Sequence, residues 1–365
     1  MAFLHAGAMR TRLVAGFMSG TSLDGLDGVL VRIHGKGLRQ KVELIDQGRS
    51  GFGQAEAGLK ALAGGQALTA ETICSLARDH ALAHVKILEK WQKHGPLDLI
   101  CIHGQTVFHR PPLSWQLCQP QLIAQAADCP LVYDLRAADV ALGGQGAPLT
   151  PLADWILFRH PHKHRVIVNL GGFCNITALR ASGNPGEIVG ADVCACNQIL
   201  DAVAKEALKK PYDRGGKTAL AGTPDKAASK KLLTLLHQQS RSKRSLGSGD
   251  ECLHWIRTHR GLKPQDLAAS AAQAVGQAIG SALEGADEAI LAGGGTHNAA
   301  LTAAIASAAP NLLITPSSAY GVPESLREAM AWAILGACTQ NGIAIALPQV
   351  TGAKRPTISG TWIFP

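Results

Sequence analysis

The chain has 365 residues, of which 46% are hydrophobic and 17% charged, and its formal net charge is +8. This length is too great for one compact core and suits two lobes of ordinary globular composition. No apolar run is long enough to cross a bilayer, and the basic residues occur in short groups without interleaved aromatics, which argues against membrane insertion and nucleic-acid binding. Nine scattered cysteines and the lack of a secretion signal predict a cytoplasmic protein with reduced thiols.

The first predicted element is a β-hairpin with a polar tip. Within Leu13–Ile33, two apolar runs flank a turn of Gly, Ser, Thr and Asp. Small residues at the tip let the backbone approach a ligand closely, and hydroxyl groups can donate to phosphate oxygens. Asp24 and Asp27 offer carboxylates to Mg²⁺, although either could instead cap the turn. The pattern therefore predicts a phosphate-binding loop.

Helices and strands then alternate up to a boundary near residue 160. Leu97–Ile102 predicts a buried strand that ends at His103-Gly104-Gln105-Thr106, and ligands of α/β folds bind at such strand ends. A core histidine is an equally good interpretation of His103. The other elements are helices at 55–63, 72–91 (capped by Thr69), 122–127 and 152–158, a strand at 131–133, and a loop at 134–148.

A second polar-tipped hairpin, at Arg165–Leu179, begins about half the chain after the first. Two like hairpins at that spacing predict two related lobes, each with one anion-binding tip formed by backbone N–H groups. The alternation of strands and helices predicts α/β lobes with mixed sheets. The remaining elements are strands at 188–192, 289–292 and 312–314, helices at 197–208, 226–238, 267–284, 299–309 and 323–339, and a polar loop region at 211–250.

Asp192 is the leading catalytic candidate. It follows an apolar run and is predicted at a strand end, where a carboxylate can accept a proton from a nucleophile. The alternative is an N-cap for the helix that follows. Cys194 and Cys196 with Cys174 could suggest zinc, but the usual spacing of ligand cysteines is absent, so small buried thiols are favoured.

Several motifs together resemble one known family. They are Gly16-Phe-Met-Ser-Gly-Thr-Ser-Leu-Asp-Gly-Leu-Asp27, His103-Gly-Gln-Thr106, Asp134-Leu-Arg-Ala-Ala-Asp139, Ala141-Leu-Gly-Gly-Gln-Gly-Ala-Pro-Leu149, Asn169-Leu-Gly-Gly172, Lys210-Pro-Tyr-Asp213 and Gly293-Gly-Gly-Thr-His-Asn298. On these residues the chain resembles the anhydro-N-acetylmuramic acid kinase family, within the superfamily of actin, hexokinase and the heat-shock-chaperone ATPases. The resemblance covers nearly the whole chain.

The resemblance implies an actin-like ATPase (ribonuclease H-like) fold, with two related α/β lobes and an inter-lobe cleft. The lobes would be 1–160, with the first hairpin and the sugar-site loops, and 161–365, with the second hairpin, the catalytic Asp and the adenosine motif. The last helix and tail could return to the first lobe. The oligomeric state stays open, a homodimer included.

The implied activity is that of an ATP- and Mg²⁺-dependent sugar kinase. It opens 1,6-anhydro-N-acetylmuramic acid with water and phosphorylates O6, giving N-acetylmuramic acid 6-phosphate in peptidoglycan recycling. In this family the residue that matches Asp192 activates the water that attacks the anomeric carbon. The freed O6 then takes the γ-phosphoryl group of ATP. A kinase of another sugar and a non-catalytic nucleotide switch stay open as alternatives.

Pattern and resemblance together assign candidate residues to the nucleotide and the sugar. Those for ATP are Gly16, Ser19, Gly20, Thr21, Ser22, Asp24, Asp27, Asn169, Gly171, Gly172, Gly293, Gly294, Gly295 and Asn298, with Asp24 and Asp27 also as Mg²⁺ ligands. Those for the sugar are His103, Gln105, Thr106, Arg136, Asp139 and Glu328. Arg136 could hold the lactyl carboxylate, or form a local surface ion pair with Asp139. Glu328 could equally be an exposed helix charge, and the glycines from Gly293 a turn without a ligand.

Two segments depart from the family pattern. The family has Asp-Thr-Gly-Pro-Gly-Asn where this chain has Asp192-Val-Cys-Ala-Cys-Asn197, and a Ser-Thr-Gly-x-Glu run is altered at 245–251. If the family glycines adopt positive φ, cysteine would be strained there and the substrate pocket would differ. Arg214-Gly-Gly-Lys-Thr218 is not a P-loop, because Pro211 stands where its first Gly is required. The His160–His164 run is favoured as an exposed linker.

Overall fold

The computed structural model describes residues 11–20, 23, 25–241 and 250–365. Three predicted nucleotide contacts, Thr21, Ser22 and Asp24, lie outside these residues, as does most of the altered segment 245–251. Within the described ranges, no helix is long and apolar enough to span a membrane.

Thirteen strands are present in the described residues: β1 Arg12–Ser19, β2 Leu26–His34, β3 Lys41–Ser50, β4 Leu99–Ile102, β5 Gln105–Arg110, β6 Leu113–Leu117, β7 Leu131–Tyr133, β8 Arg165–Leu170, β9 Phe173–Leu179, β10 Val189–Ala195, β11 Glu288–Ala292, β12 Leu313–Pro316 and β13 Thr361–Ile363. The α-helices are α1 Ala55–Ala63, α2 Ala70–Trp91, α3 Pro120–Ala127, α4 Ala137–Ala141, α5 Pro151–Phe158, α6 Asn197–Val203, α7 Lys217–Leu220, α8 Lys226–Arg241, α9 Asp250–Thr258, α10 Pro264–Ser281, α11 Ala299–Ala308, α12 Arg327–Gln340 and α13 Pro348–Thr351. A π-helical turn, Ala204–Leu208, continues α6.

The chain divides into two compact units. The first comprises Met1–Phe158 and Leu326–Pro365, and the second comprises Arg159–Ser325. The division at Phe158 lies close to the predicted residue 160, and the last helix and tail return to the first unit, which was the alternative left open for the range 161–365. The last 40 residues belong to the first unit, because α12 packs against β1, β2 and β4.

The main sheets of the two units share one order over five strands, and the first sheet has β13 as an additional antiparallel edge strand. The main sheet of the first unit runs β13-β7-β4-β1-β2-β3, and that of the second runs β10-β9-β8-β11-β12. In each sheet an antiparallel hairpin (β1–β2 or β8–β9) is extended by a third antiparallel strand (β3 or β10). On the other side of the hairpin, two later strands (β4 and β7, or β11 and β12) join in parallel. This common order confirms the predicted α/β class with two related lobes, each a mixed sheet flanked by helices.

The central strands are apolar because both of their faces are covered. Every residue of β4, β8 and β11 is buried. The predicted cap of α2 is confirmed, since Thr69 Oγ1 accepts a hydrogen bond from the backbone N–H of Thr72. Among the local predictions, the loop at 134–148 is wrong in part because it contains α4, and the hairpin β5–β6 was not predicted.

Gly16 was assigned to the nucleotide, but the structure shows that it is a packing position. It is buried in the middle of β1, directly beneath α12. A Cβ placed at Gly16 would meet the backbone carbonyl of Ala329, and would lie 2.6 Å from the backbone nitrogen of Ala333. Glycine is therefore required here so that α12 can lie directly on the sheet.

We expect Gly16→Ala to lower the free energy of unfolding by about 1–3 kcal/mol, since backbone must move to accept the methyl group. Gly51→Ala is the matched control, because nothing lies within 4 Å of a Cβ at Gly51. It should stay within about 0.5 kcal/mol of the parent chain. Urea unfolding of the three proteins tests this, and equal effects of the two substitutions would contradict the packing role.

Candidate functional site

In the first unit, the tip of the β1–β2 hairpin is joined to the end of β4. The backbone N–H of His103 donates to the carbonyl of Phe17 (3.1 Å), and the Gln105 side-chain amide donates to the carbonyl of Gly20 (3.3 Å). Ser19 Oγ donates to the carbonyl of Gly104 (3.0 Å). These bonds bring the predicted phosphate loop and the predicted sugar segment together, as expected for residues at the carboxyl ends of neighbouring parallel strands.

These contacts also reassign two residues from ligand binding to support of the tip. Ser19 is 1% exposed and its hydroxyl proton is used by Gly104, so it does not donate to a phosphate. Gln105 is fully buried, and its Nε2 donates to backbone carbonyls, whereas its Oε1 is buried without a hydrogen-bond partner. Gly20 is half-buried at the tip and remains a candidate phosphate contact.

Asp27 is the one candidate Mg²⁺ ligand within the described residues. It lies on β2 opposite Met18, and its carboxylate is 3.6 Å from Nε of the exposed Arg49. The Arg49 side chain is exposed and that of Asp27 is half-buried, and an ion pair with an exposed partner contributes little to stability. Mg²⁺ is usually held by one or two carboxylates together with phosphate oxygens and water, and Asp27 fits that limited requirement.

Arg136 stands at the centre of a polar cluster near this tip. Its Nη1 donates to the carbonyl of Gly146 (2.6 Å), and its Nε and Nη2 lie 3.2 and 2.9 Å from Nε2 of His103. The guanidinium carbon is 5.9 Å from the centre of the Trp332 ring. Burial lowers the pKa of Arg136 to about 10, which the nearby carboxylates of Glu328 and Asp134 oppose. The side chain is thus a charged, firmly held donor.

Asp139 has a different place from the one predicted. It is fully buried, its Oδ2 accepts from the backbone N–H of Gly146 (2.7 Å), and its Oδ1 accepts from Thr351 Oγ1 (2.6 Å). Both oxygens therefore support the 143–146 loop rather than a sugar or an ion pair with Arg136. Gly144 is required beside it, since a Cβ there would overlap the carboxylate.

Thr106 and Glu328 stay candidates for the sugar. Thr106 is half-buried on β5 and accepts a long hydrogen bond from Gln116 (3.5 Å). Glu328 is half-buried in the first turn of α12, close enough to Arg136 and Arg327 to act on the charge of both. Arg327 itself forms a buried ion pair with Asp154 of α5.

The sequence analysis missed several polar residues of this region. The hairpin β5–β6 carries His109, Ser114 and Gln116 on one face, where His109 Nδ1 is 2.8 Å from Ser114 Oγ and Gln116 donates to Ser114 (3.0 Å). Trp332 was also missed, as was Met18, whose sulfur accepts from Trp332 Nε1 (3.0 Å). Two runs of strand-forming residues around Pro111-Pro112 were the available signal for this hairpin.

In the second unit, the β8–β9 tip is held by the start of α6. The carbonyl of Gly172 accepts from the backbone N–H groups of Cys196 (2.9 Å) and Gln198 (3.0 Å), and that of Gly171 accepts from Asn197 (3.1 Å). Gly172 is exposed, and nothing lies within 4 Å of a Cβ placed there. The N–H groups at the start of α6 thus satisfy the carbonyls of the tip, and Gly172 remains exposed.

The glycines after β11 pack against the same tip. Gly293 has φ +88°, and a Cβ there would lie 2.9 Å from Asn169 Oδ1. A Cβ at Gly295 would lie 2.7 Å from that of Leu170, whereas a Cβ at Gly294 would meet nothing within 4 Å. Gly293 and Gly295 therefore permit close packing with β8, and the exposed Gly294 remains open to a ligand.

Asn298 serves as a helix cap. Its Oδ1 accepts from the backbone N–H of Leu301 (3.1 Å) at the start of α11. The same oxygen lies where a Cβ of Gly216 would be, so the turn at Gly215-Gly216 packs directly on this cap. This capping hydrogen bond accounts for the position of the Asn298 side-chain oxygen, and no ligand contact is needed to explain it.

Asp192 lies within β10 and not at the end of the strand, since β10 continues to Ala195. A β-bulge between Asp192 and Cys194 interrupts its pairing with β9, and bulges commonly redirect a side chain. Asp192 is exposed, yet the protein around the carboxylate removes enough water to raise its pKa above the usual 3.8. The N-cap of α6 is Cys196, so the alternative role of Asp192 as that cap is excluded.

The cysteines that replace the family glycines point into the core. Cys174, Cys194 and Cys196 are fully buried among the apolar residues of the second unit, and Cys174 pairs with Cys194 across β9 and β10. Neither Cys194 nor Cys196 has positive φ, so the strain expected there is not present. Within the described ranges, no group of three or more His, Cys, Asp or Glu could hold a metal.

Comparison with known proteins gives one consistent family. The model of the family "Anhydro-N-acetylmuramic acid kinase" matches residues 12–365. A relative of that name from Salinibacter ruber is 34% identical, over 99% of this chain and 98% of the relative. Another from Gloeobacter violaceus is 33% identical, over 95% of this chain and 97% of the relative.

Among solved structures, an activator of 2-hydroxyisocaproyl-CoA dehydratase from Clostridium difficile is 14% identical with a TM-score of 0.46, over 90% of this chain and 96% of that one. We draw nothing from a likeness at that level. The family match spans both units and nearly every described residue. The chain therefore belongs to the anhydro-N-acetylmuramic acid kinase family.

Proposed function

We propose that this protein is an ATP-dependent kinase that opens 1,6-anhydro-N-acetylmuramic acid with water and phosphorylates its O6. The observation that carries the proposal is the family match over residues 12–365. The product would be N-acetylmuramic acid 6-phosphate, formed in peptidoglycan recycling. Dependence on ATP and the buried free thiols support a cytoplasmic reaction. The homodimer stays a prediction.

Asp192 would be the general base. Water forms a bond to the anomeric carbon and gives its proton to the Asp192 carboxylate, while the bond from that carbon to O6 breaks. O6 takes the γ-phosphoryl group of ATP, and ADP leaves. The raised pKa supports this role, because a base is most effective when its pKa approaches the working pH. One carboxylate suffices in this scheme, since phosphorus takes the place of the proton on the leaving oxygen.

Each hairpin tip would offer backbone N–H groups to phosphate oxygens. Phosphoryl transfer depends mainly on position and neutralised charge, which backbone N–H groups at Gly20, Gly171 and Gly172 can supply. Asp27 would hold Mg²⁺, together with Asp24 from outside the described residues. When bound, that ion neutralises charge on the transferring phosphates. Gly294 would let the adenosine approach the backbone closely.

Arg136, Thr106 and Glu328 would bind the sugar. The three hydrogen bonds of Arg136 to His103 and Gly146 use three of its five N–H groups, which leaves one on each terminal nitrogen. Two parallel N–H groups match a carboxylate, and the lactyl group is the one carboxylate of this sugar. Arg136 would therefore distinguish a muramic acid from a glucosamine derivative.

The purified protein should release ADP when given ATP, Mg²⁺ and 1,6-anhydro-N-acetylmuramic acid, with formation of a sugar 6-phosphate. A coupled assay over a panel of anhydro and reducing amino sugars measures the preference. Equal turnover of other sugars would favour the second candidate, a kinase of a different sugar. The buried positions of Cys194 and Cys196 speak against such a change of substrate. Comparable ADP release without sugar would instead favour a nucleotide switch.

Asp192→Asn should lower kcat/KM for the sugar by about 10²–10⁴-fold, because it removes the base, while ATP binding persists.

In the parent protein, kcat/KM should fall about tenfold per pH unit once the pH drops below the raised pKa of Asp192, since only the ionised carboxylate accepts a proton. The residual rate of Asp192→Asn should lack this limb. The control is Asp201→Asn, which removes another carboxyl of raised pKa and should leave the limb in place.

Arg136→Met should reduce the preference for 1,6-anhydro-N-acetylmuramic acid over 1,6-anhydro-N-acetylglucosamine, which lacks the lactyl group. Loss of a charge-assisted hydrogen bond of about 1.5–3 kcal/mol predicts a fall of roughly 10–150-fold in the ratio of kcat/KM values. Arg136→Lys should recover only part of the preference, because it keeps the charge without the planar fork. Arg110→Met, an exposed site on β5, serves as control. An unchanged ratio in Arg136→Met would assign the carboxylate to another residue.

A further inference from the structure

Neither ring nitrogen of His103 is available to a substrate, because one is buried and the other is engaged by Arg136. The residue is 4% exposed, and it lies between the end of β4 and the ring of Trp332, whose centre is 4.8 Å from that of the imidazole. Its Nε2 is engaged by Nε and Nη2 of Arg136, and its Nδ1 is buried without a hydrogen-bond partner. Direct contact with a sugar hydroxyl, as expected from the sequence, is therefore closed to it.

The protonation state of His103 follows from its partner. A guanidinium only donates hydrogen bonds, so Nε2 must be the acceptor and the proton of the neutral ring must be on Nδ1. Burial, and next the charge of Arg136, hold the pKa of His103 well below its usual value, although the nearby backbone at Gly104 and Ser19 opposes this. The ring thus stays a neutral acceptor beside a cation.

One acceptor that engages two N–H groups of the same guanidinium fixes the plane of that guanidinium. The Gly146 carbonyl fixes Nη1 in the same way, and Trp332 limits movement on one face. Trp332 is itself held, because it is 2% exposed and its Nε1 donates to Met18. The guanidinium of Arg136 is therefore held in one orientation before any ligand arrives, which reduces the ordering that binding must impose.

We infer that His103 is a positioning residue that sets the specificity of the sugar site by orienting the guanidinium of Arg136 toward a substrate carboxylate. This inference rests on the proposed function, since the carboxylate is the lactyl group of the muramic acid. His103 acts through Arg136 alone and contacts no reacting atom. It is the acceptor property of Nε2, and not the charge of the ring, that matters.

A double-mutant cycle tests this dependence. The variants are His103→Phe, which keeps a ring beside Trp332 but has no acceptor, Arg136→Met, and the two combined. The readout is the ratio of kcat/KM for 1,6-anhydro-N-acetylmuramic acid to that for 1,6-anhydro-N-acetylglucosamine. We expect His103→Phe to lower this ratio about tenfold, mainly through the KM of the muramic acid, and the double variant to match Arg136→Met. His103→Gln, whose amide oxygen can accept from Arg136, should restore much of the ratio.

Additive effects in the double variant, or an unchanged ratio in His103→Phe, would overturn the inference. Failure of the proposed function is separate, because the parent protein would then show no turnover of the anhydro sugar. Thermal midpoints of all variants exclude unfolding as the cause. Should His103→Phe not fold, His103→Leu replaces it, since Leu also lacks an acceptor and is smaller.

Discussion

The contact between α12 and β1 at Gly16 is the constraint on which the first unit depends. Because no side chain separates them, the helix lies directly on the sheet beside the polar hairpin tip. This position brings Trp332 and Glu328 from the end of the chain to His103 and Arg136 near its middle. The buried Arg327–Asp154 pair fixes the same helix to α5, and breaking such a pair by removing one partner costs about 3–5 kcal/mol. Packing at a glycine thus determines which polar groups meet.

The polar residues of the two hairpin regions divide into those that support and those that stay open. Ser19 and Gln105 are buried and donate to backbone carbonyls of neighbouring loops, and the buried Asp139 accepts from the backbone N–H of Gly146 and from Thr351 Oγ1. Such hydrogen bonds hold a loop in one conformation, because breaking one would leave a buried polar group without its partner and lower the free energy of unfolding. Gly172 and Gly294, by contrast, face open space. A rigid frame with a few exposed backbone positions is what recognition of a phosphate chain requires.

The sequence predicted the two polar-tipped hairpins and the central strands well because their signals are local, although it missed the β5–β6 hairpin. Apolar runs ended by Gly and Ser define β1, β4 and β8 without reference to the rest of the chain. The roles of individual polar residues were harder to predict, since they depend on partners distant in sequence. Asp139 is satisfied by Thr351, and Gly16 is explained only by Ala329 and Ala333. A motif therefore indicated the correct region of the chain. Whether a given residue contacts a ligand or supports a loop could be decided only from the packed structure.

The two cysteines beside Asp192 show why a departure from a family pattern need not alter chemistry. Their side chains enter the core of the second unit, and their backbones avoid positive φ. The backbone N–H of Cys196 still supports the β8–β9 tip at Gly172, as any residue with that conformation could. Since the thiols pack among apolar neighbours, the substitution changes the interior beneath Asp192 and not the groups exposed around it. A larger residue at Cys194 would disturb that support from below, so the volume of the side chain is the property under constraint.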